Sequence, residues 1–335
     1  EGKFAIEMKL KKNLFASLLA VGLLAGTVAT VHAETLRFAS EAPRTDSQSV
    51  AAARFSELRK AKTGGALDLK VFADSSLGNS QAAISGVRGG TIDMAVSGSG
   101  NFSGLVPLLG VFDIPFMFKD SAHAYRVLDG KVGQDMLDKL DAFGMKGLAF
   151  WDNGWRELTN SKHPVKTPAD VKGLKVRTTG SPAHIEAFKL LGANPVPMPL
   201  AELYTALEMK TVDAQEHPIG VLWSAKLYEV QKNLVLTGHQ YNPQSVIISK
   251  KFWDKLSAAE KKIVGDAVTE SAKFQREKAR ALEASILDNL KKNGMQVTQL
   301  PEAEMAKLRD KMRPVTAKYG VTVGQDLVKE LQAEI

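Results

Sequence analysis

From Glu34 onward the chain alternates short apolar runs with longer amphipathic ones. Leu36-Arg37-Phe38-Ala39 reads as a strand. Ser47 to Lys62 reads as a helix, because Ala51, Phe55 and Leu58 fall four and three residues apart and share one face. Gly64-Gly65 ends that helix, and Leu67 to Phe72 alternates as a strand should. Asn79 to Arg88 forms a second helix closed by Gly89-Gly90, and Ile92 to Ser97 a third strand. Strand, helix, strand, helix, strand in this order is a parallel α/β unit.

A second unit opens with a strand at Lys146 to Trp151. It continues with a strand at Leu174 to Arg177, a helix at Pro182 to Leu191, a strand around Asn194 to Pro197 and a helix at Ala201 to Met209. A short strand at Val212 to Gln215 and a helix within Gly220 to Gln231 complete it. Two successive units predict two lobes. A strand at Ser245 to Ser249 then precedes a helical region, Asp254 to Lys292, broken only at Gly265 and long enough to lie across both lobes, and a shorter helix follows at Ala303 to Lys311. No repeat or low-complexity tract intervenes, so the crossovers between lobes are expected to be short strand segments able to act as a hinge.

The N-terminus changes the picture of where the protein works. Met8-Lys9-Leu10-Lys11-Lys12 is basic, Leu14 to Val31 is apolar, and Val31-His32-Ala33 is a small-residue pattern before Glu34. This is the layout of a signal peptide, 8–33, cleaved near Ala33. An uncleaved anchor is the alternative, weakened by Gly22, Gly26, Thr27 and Thr30. Residues 1–7 precede Met8 and are set aside. The chain has no cysteine, so an exported form has neither a disulfide framework nor a lipoprotein anchor, and the periplasm is the expected compartment. The net charge of +7 does not argue for nucleic acid: Lys3, Lys9, Lys11 and Lys12 precede the cleavage point, and the remaining bases are dispersed among acids.

In open parallel sheets ligands bind beyond the carboxyl ends of the strands. Those positions are Glu41, Ser97 to Asn101, Asp152 to Arg156, Arg177 to Ser181, and Glu216-His217, and the fold brings them to one cleft. Hydrolase, zinc-protease and nucleotide-binding signatures are absent, and the six histidines lack metal-ligand spacing, so no metal or cofactor is expected. Arg177 ends a strand and precedes Thr178-Thr179-Gly180-Ser181, whose hydroxyls and helix start suit an anion. Its planar fork can take a carboxylate through two parallel hydrogen bonds, or it can serve a surface salt bridge. Arg156, flanked by Trp151 and Trp155, carries the same two readings. His217 can donate to a ligand or satisfy a backbone carbonyl. Asn101, Ser97 and Ser99 form a hydrogen-bonding loop or an ordinary turn, and Glu41 accepts from ligand hydroxyls or is solvated. An exported enzyme with Glu216 or His217 as acid or base is the competing functional reading.

These segments, with Ser76-Leu77-Gly78, Gly89-Gly90-Thr91-Ile92-Asp93, Gly173-Leu174-Lys175-Val176-Arg177, Pro197-Met198-Pro199, Glu202-Leu203-Tyr204 and Val212-Asp213-Ala214-Gln215-Glu216, resemble the solute-binding proteins of tripartite ATP-independent periplasmic (TRAP) transporters. The likeness runs from Leu36 to about Gln296. It implies an α/β, two-lobed periplasmic-binding-protein-like fold with hinge strands and a lobe-spanning helix, lobe I being 34–151 and 243–282 and lobe II 152–242 and 283–335. It also implies a monomer that binds a small carboxylate and hands it to small and large membrane permease subunits, without catalysis. The family's carboxylate-binding arginine falls on Arg177 and a second arginine on Arg156; His217, Asn101, Glu41, Asn153, Ser97, Gln48, Glu216 and Ser181 complete the candidate ligand set. Thr45-Asp46-Ser47-Gln48, Asn153-Gly154-Trp155-Arg156 and Gln215-Glu216-His217-Pro218 are most similar to the 2,3-diketo-L-gulonate-binding type, from which the chain departs at Asp152 and Thr179-Gly180. His217, Gly98 and Asn101 differ from the sialic-acid-binding type. A six-carbon sugar acid, such as a diketogulonate, uronate or aldonate, is the implied ligand, with a smaller hydroxy or dicarboxylic acid as the alternative.

Overall fold

The computed structural model describes residues 34–64 and 67–333, so the expected signal peptide lies outside it. The first α/β unit forms as the pattern predicts: β1 (Glu34–Ser40), α1 (Ser47–Thr63), β2 (Leu67–Phe72), α2 (Ser80–Gly89) and β3 (Met94–Gly98). β1 pairs in parallel with β2 on one side and β3 on the other. Local chemistry fixes the ends of α1. The Asp46 side chain accepts the Gln48 N–H at 2.9 Å at its start, and Gly64, at φ 60°, turns its own N–H back onto the Lys60 carbonyl at its end.

Two helices, α3 (Ser121–Asp129) and α4 (Lys131–Asp138), fill a stretch where the sequence reading gives no element, although both bury an apolar face, with Ala124, Val127 and Leu128 in one and Met136 and Leu137 in the other. The second unit then contributes β5 (Lys175–Thr178), α5 (Pro182–Leu190), β6 (Asn194–Pro197), α6 (Leu200–Glu208), β7 (Ala214–Pro218) and α7 (Ile219–Ser224), and β5 runs parallel to both β6 and β7.

The connections between the units differ from expectation. β4 (Met145–Asn160) has 16 residues and β8 (Asn233–Ser249) has 17, where short strands at Lys146 to Trp151 and Ser245 to Ser249 are predicted. They pair antiparallel from Met145 with Ser249 to Asn160 with Asn233, and so run through both halves of one sheet, ordered β2-β1-β3-β8-β4-β7-β5-β6. Their middles carry buried polar residues, among them Asp152, Arg156, His239, Gln240, Asn242 and Gln244. Such residues erase the apolar alternation that identifies a strand. The crossovers are therefore long shared strands rather than short segments. Pairing slips between Asp152 and Trp155, where Gly154 takes φ 105°. This bulge falls where the lobe boundary is expected.

After α8 (Lys250–Trp253), α9 (Ala258–Lys292) runs 35 residues, about 50 Å, starting from a Ser257–Glu260 capping box. It packs on α1 and β4 and reaches α7. The break expected at Gly265 does not occur. A helical glycine costs only about 1 kcal/mol, and burial of Val264, Ala267, Val268 and Ala272 outweighs it. β9 (Gln296–Gln299) adds to β8, and α10 (Glu302–Val323) continues well past Lys311, carrying Pro314 between buried Met312 and Val315, before α11 (Gln325–Ala333). Adjacent strand residues fall in different apolar clusters: Phe38, Phe55, Trp151 and Val264 meet in one and Leu203, Leu222, Leu234 and Leu290 in another, both packed on α9, while Ala39, Ala95, Val235 and Ile247 join a third.

Gly154→Ala has room, since the nearest atom to the added methyl is a Pro218 carbon at 3.4 Å. The left-handed backbone alone penalises it. Denaturant titration should show a loss of about 1–3 kcal/mol; an unchanged midpoint would mean that the bulge is not needed.

Candidate functional site

The carboxyl ends of β1, β3, β5 and β7 and the middles of β4 and β8 surround a cavity of about 290 Å³. Eight of the ten expected residues line it: Glu41, Gln48, Ser97, Asn101, Asn153, Arg156, Arg177 and His217. Glu216 and Ser181 do not. β7 extends to Pro218, three residues beyond its expected end, so Glu216 and His217 lie within the strand and face opposite sides of it. Ser181 caps no N–H of α5 and stands behind Thr179, whose Oγ1 accepts the Ser181 N–H at 3.3 Å and meets His184 Nδ1 at 2.7 Å.

Arg177 is buried, with only 3% of its surface exposed. Its Nε and Nη2 donate to the Met198 carbonyl at 2.9 and 2.6 Å, and Nη1 to His217 Nε2 at 3.3 Å. No carboxylate of the described residues pairs with it. Burial, with the like charge of Arg156, pushes its pKa down to about 10, which still leaves it a cation at neutral pH. A guanidinium carries five N–H groups. Three are used, leaving one on each terminal nitrogen, and this is the pair that a carboxylate engages bidentately.

Arg156 differs because it has a counter-ion. Its Nε and Nη2 grip the Glu216 carboxylate, Nη2 to Oε1 at 2.7 Å, and its Nη1 donates to Asn242 Oδ1 at 3.2 Å. Nη2 also donates to the Glu216 carbonyl at 2.5 Å, so four of its five N–H groups are used and one is left, on Nη1. Burial alone would raise Glu216, but Arg156, aided by His239, overrides it and holds the carboxyl well below its ordinary range. The expected role of Glu216 as a ligand contact is thus corrected: it is fully buried and neutralises Arg156. His217 is held neutral, its pKa driven well below 6.5 by burial and by Arg156 and Arg177.

Amides form the rest of the wall. Gln48 donates to Asn153 Oδ1 at 2.9 Å, while Asn153 and Gln244 both donate to Asn242 Oδ1, at 2.8 and 3.1 Å. Asn101 donates to Ser97 at 3.0 Å. Both Glu41 oxygens already have protein donors, Ser80 Oγ and, at 3.0 Å, the N–H of Leu200 at the start of α6. Glu41 therefore ties the first unit to the second across the cavity mouth. Asp113, His184, Asn242 and Gln244 also line the cavity and escape sequence reasoning. Two are in the polar middle of β8, where the dense run Gln240-Tyr241-Asn242-Pro243-Gln244 was the available signal. Gly100 has a packing reason, since a Cβ there would stand 2.1 Å from Asp113 Oδ2.

A pocket with amide walls and a buried arginine that no carboxylate of the described residues pairs with is suited to bind an anion. Residues 38–321 match the family model of bacterial extracellular solute-binding protein, family 7. The chain belongs to this family. The family 7 protein is 49% identical to the 2,3-diketo-L-gulonate-binding periplasmic protein YiaO of Escherichia coli K12, over 96% of this chain and 98% of that protein. Its fold matches the sugar acid binding protein DctPAm of Advenella mimigardefordensis, in complex with galactonate, with TM-score 0.88 and 35% identity over 90% of this chain and 97% of that one. It also matches a TRAP periplasmic solute binding protein of Polaromonas sp. JS666 bound to D-erythronate, with TM-score 0.87 and 38% identity over 89% and 98%. The chain is thus a TRAP periplasmic solute-binding protein with a two-lobed α/β fold, a component of transport rather than an enzyme.

Glu216→Gln leaves the Arg156 charge buried without its partner. Thermal or denaturant unfolding should show a loss of about 3–5 kcal/mol. Because the folded-state carboxyl is depressed, the wild-type contribution is present above the unfolded carboxylate pKa and is lost only as pH falls through the lower folded value. A variant as stable as wild type would contradict the pairing.

Proposed function

We propose that this family 7 protein captures a sugar acid, of the diketogulonate, uronate or aldonate type, and delivers it to small and large TRAP membrane subunits. The observation that carries this reading is Arg177, a buried cation without a counter-ion that keeps one N–H on each terminal nitrogen beside the cavity. The ligand carboxylate completes it. Each charge-assisted bond contributes about 1.5–3 kcal/mol, a large share of the roughly 8 kcal/mol of micromolar binding. Arg156 assists through its remaining N–H. With Glu216 neutralising Arg156, the arginine pair presents one net positive charge, which suits a monocarboxylate better than a dicarboxylate.

Gln48, Asn101, Asn153, Asn242 and Gln244 both donate and accept, as a ligand with several hydroxyls requires. The relatives named for 2,3-diketo-L-gulonate, galactonate and D-erythronate support the same ligand class. Lobe I comprises 34–151 and 243–282 and lobe II 152–242 and 283–335, with the bulge at Asp152 to Trp155 as the bend. Glu41 to Leu200, Gln48 to Asn153 and Ser224 to Asp46, the last at 2.9 Å, are contacts of the closed form. The mature protein begins near Glu34, after cleavage of 8–33, and works as a periplasmic monomer.

Calorimetry of 34–335 against galactonate, galacturonate, 2,3-diketo-L-gulonate and succinate tests the reading. One or more of the sugar acids should bind, and more tightly than succinate. Arg177→Ala should weaken that binding by about a hundredfold or more while the melting temperature of the free protein holds. Undiminished affinity in the variant would overturn the assignment.

A further inference from the structure

Thr159, Gln215 and Gln231 are polar side chains with no exposed surface, none of them lines the cavity, and the binding reading gives them no task. Burying three such groups is costly unless each is hydrogen-bonded. They bond to one another in a single file that ends on the ligand arginine.

The direction of every bond in the file is fixed from its far end. Gln231 Nε2 lies 3.3 Å from the Asp213 carbonyl and 3.0 Å from the Val230 carbonyl. Only an NH₂ group can face two carbonyl oxygens, so the Gln231 amide cannot be reversed. Its Oε1 must then accept, and it does so from the Thr159 hydroxyl at 2.8 Å. With its proton committed, Thr159 Oγ1 accepts from Gln215 Nε2 at 2.8 Å. Gln215 Oε1 is left as an acceptor, and His217 Nδ1 stands 2.6 Å from it. Nδ1 must therefore carry the imidazole proton. His217 being neutral, Nε2 is bare and accepts from Arg177 Nη1 at 3.3 Å.

We propose that Gln231, Thr159 and Gln215 are positioning residues that lock His217 in its Nδ1–H tautomer and so hold the Arg177 fork in its carboxylate-accepting orientation. The opposite tautomer would set an N–H of His217 against an N–H of Arg177. The guanidinium would then turn away and lose its aim. All five side chains fall in 152–242, so the file survives whether the cleft is open or shut.

The proposal rests on the carboxylate reading of Arg177, and the two are separable by experiment. Nitrogen-15 spectra of histidine-labelled 34–335 without ligand, at neutral pH, report the His217 tautomer directly; His217→Gln identifies its signals. Wild type and Thr159→Ser should show a protonated Nδ1 and a bare Nε2. Thr159→Val, which removes the hydroxyl but keeps the shape, should show the other tautomer or a mixture. It should also bind galactonate about tenfold more weakly, roughly one hydrogen bond's worth, with affinity restored in Thr159→Ser. A Thr159→Val protein that keeps the Nδ1–H signal overturns the relay even where Arg177→Ala abolishes binding. Undiminished binding by Arg177→Ala overturns the carboxylate reading, whatever the tautomer.

Discussion

A cation buried without a counter-ion is the constraint around which this molecule is arranged. Arg177 is removed from water and compensated only by a backbone carbonyl and a neutral imidazole. Such a group is expensive unless an anion completes it. The adjacent Arg156 is different because Glu216 neutralises it at once. Two arginines of the same chemistry, on strands either side of β7, thus differ in their partners. One is neutralised within the wall, and the other has no carboxylate partner among the described residues.

The sheet shows how the two units are joined around the site. Most of the lining comes from strand ends or from loops just beyond them, belonging to two α/β units that share only β4 and β8 among their strands. Both shared strands are hydrogen-bonded along their length, so a bend must be confined to a point where pairing already slips. Pairing slips at three places along β4, and the slip at Asp152 to Trp155, with its left-handed Gly154, lies beside the lining residues Asn153 and Arg156. The wall contacts made by Glu41 and Gln48 reach across to Leu200 and Asn153 and join the two units at the cavity.

Much of this was legible in the sequence because parallel units advertise themselves. The alternation of strands with amphipathic helices located the strand ends, and the strand ends located Glu41, Ser97, Asn101, Arg156, Arg177 and His217. What escaped did so for a physical reason. β8 was seen only over its apolar last five residues, because its middle is buried yet polar, and with it went Asn242 and Gln244. His184 is on a helix and Asp113 in a short 3-10 turn, where neither spacing nor strand position marks them. Glu216 was recognised as a residue of the site but given a ligand, since β7 runs three residues further than expected, to Pro218, and turns it away from the cavity and onto Arg156. Burial removes the salt-bridge reading of Arg177. A surface salt bridge requires an acid and exposure, and Arg177 has neither.

The central claim is that the charge of Arg177 is completed by a carboxylate from the ligand. The most direct measurement compares galactonate with its neutral amide, galactonamide, by calorimetry on the unaltered protein. The account predicts that the amide, equal in shape and hydroxyls, binds at least about a hundredfold more weakly; equal affinities would contradict it.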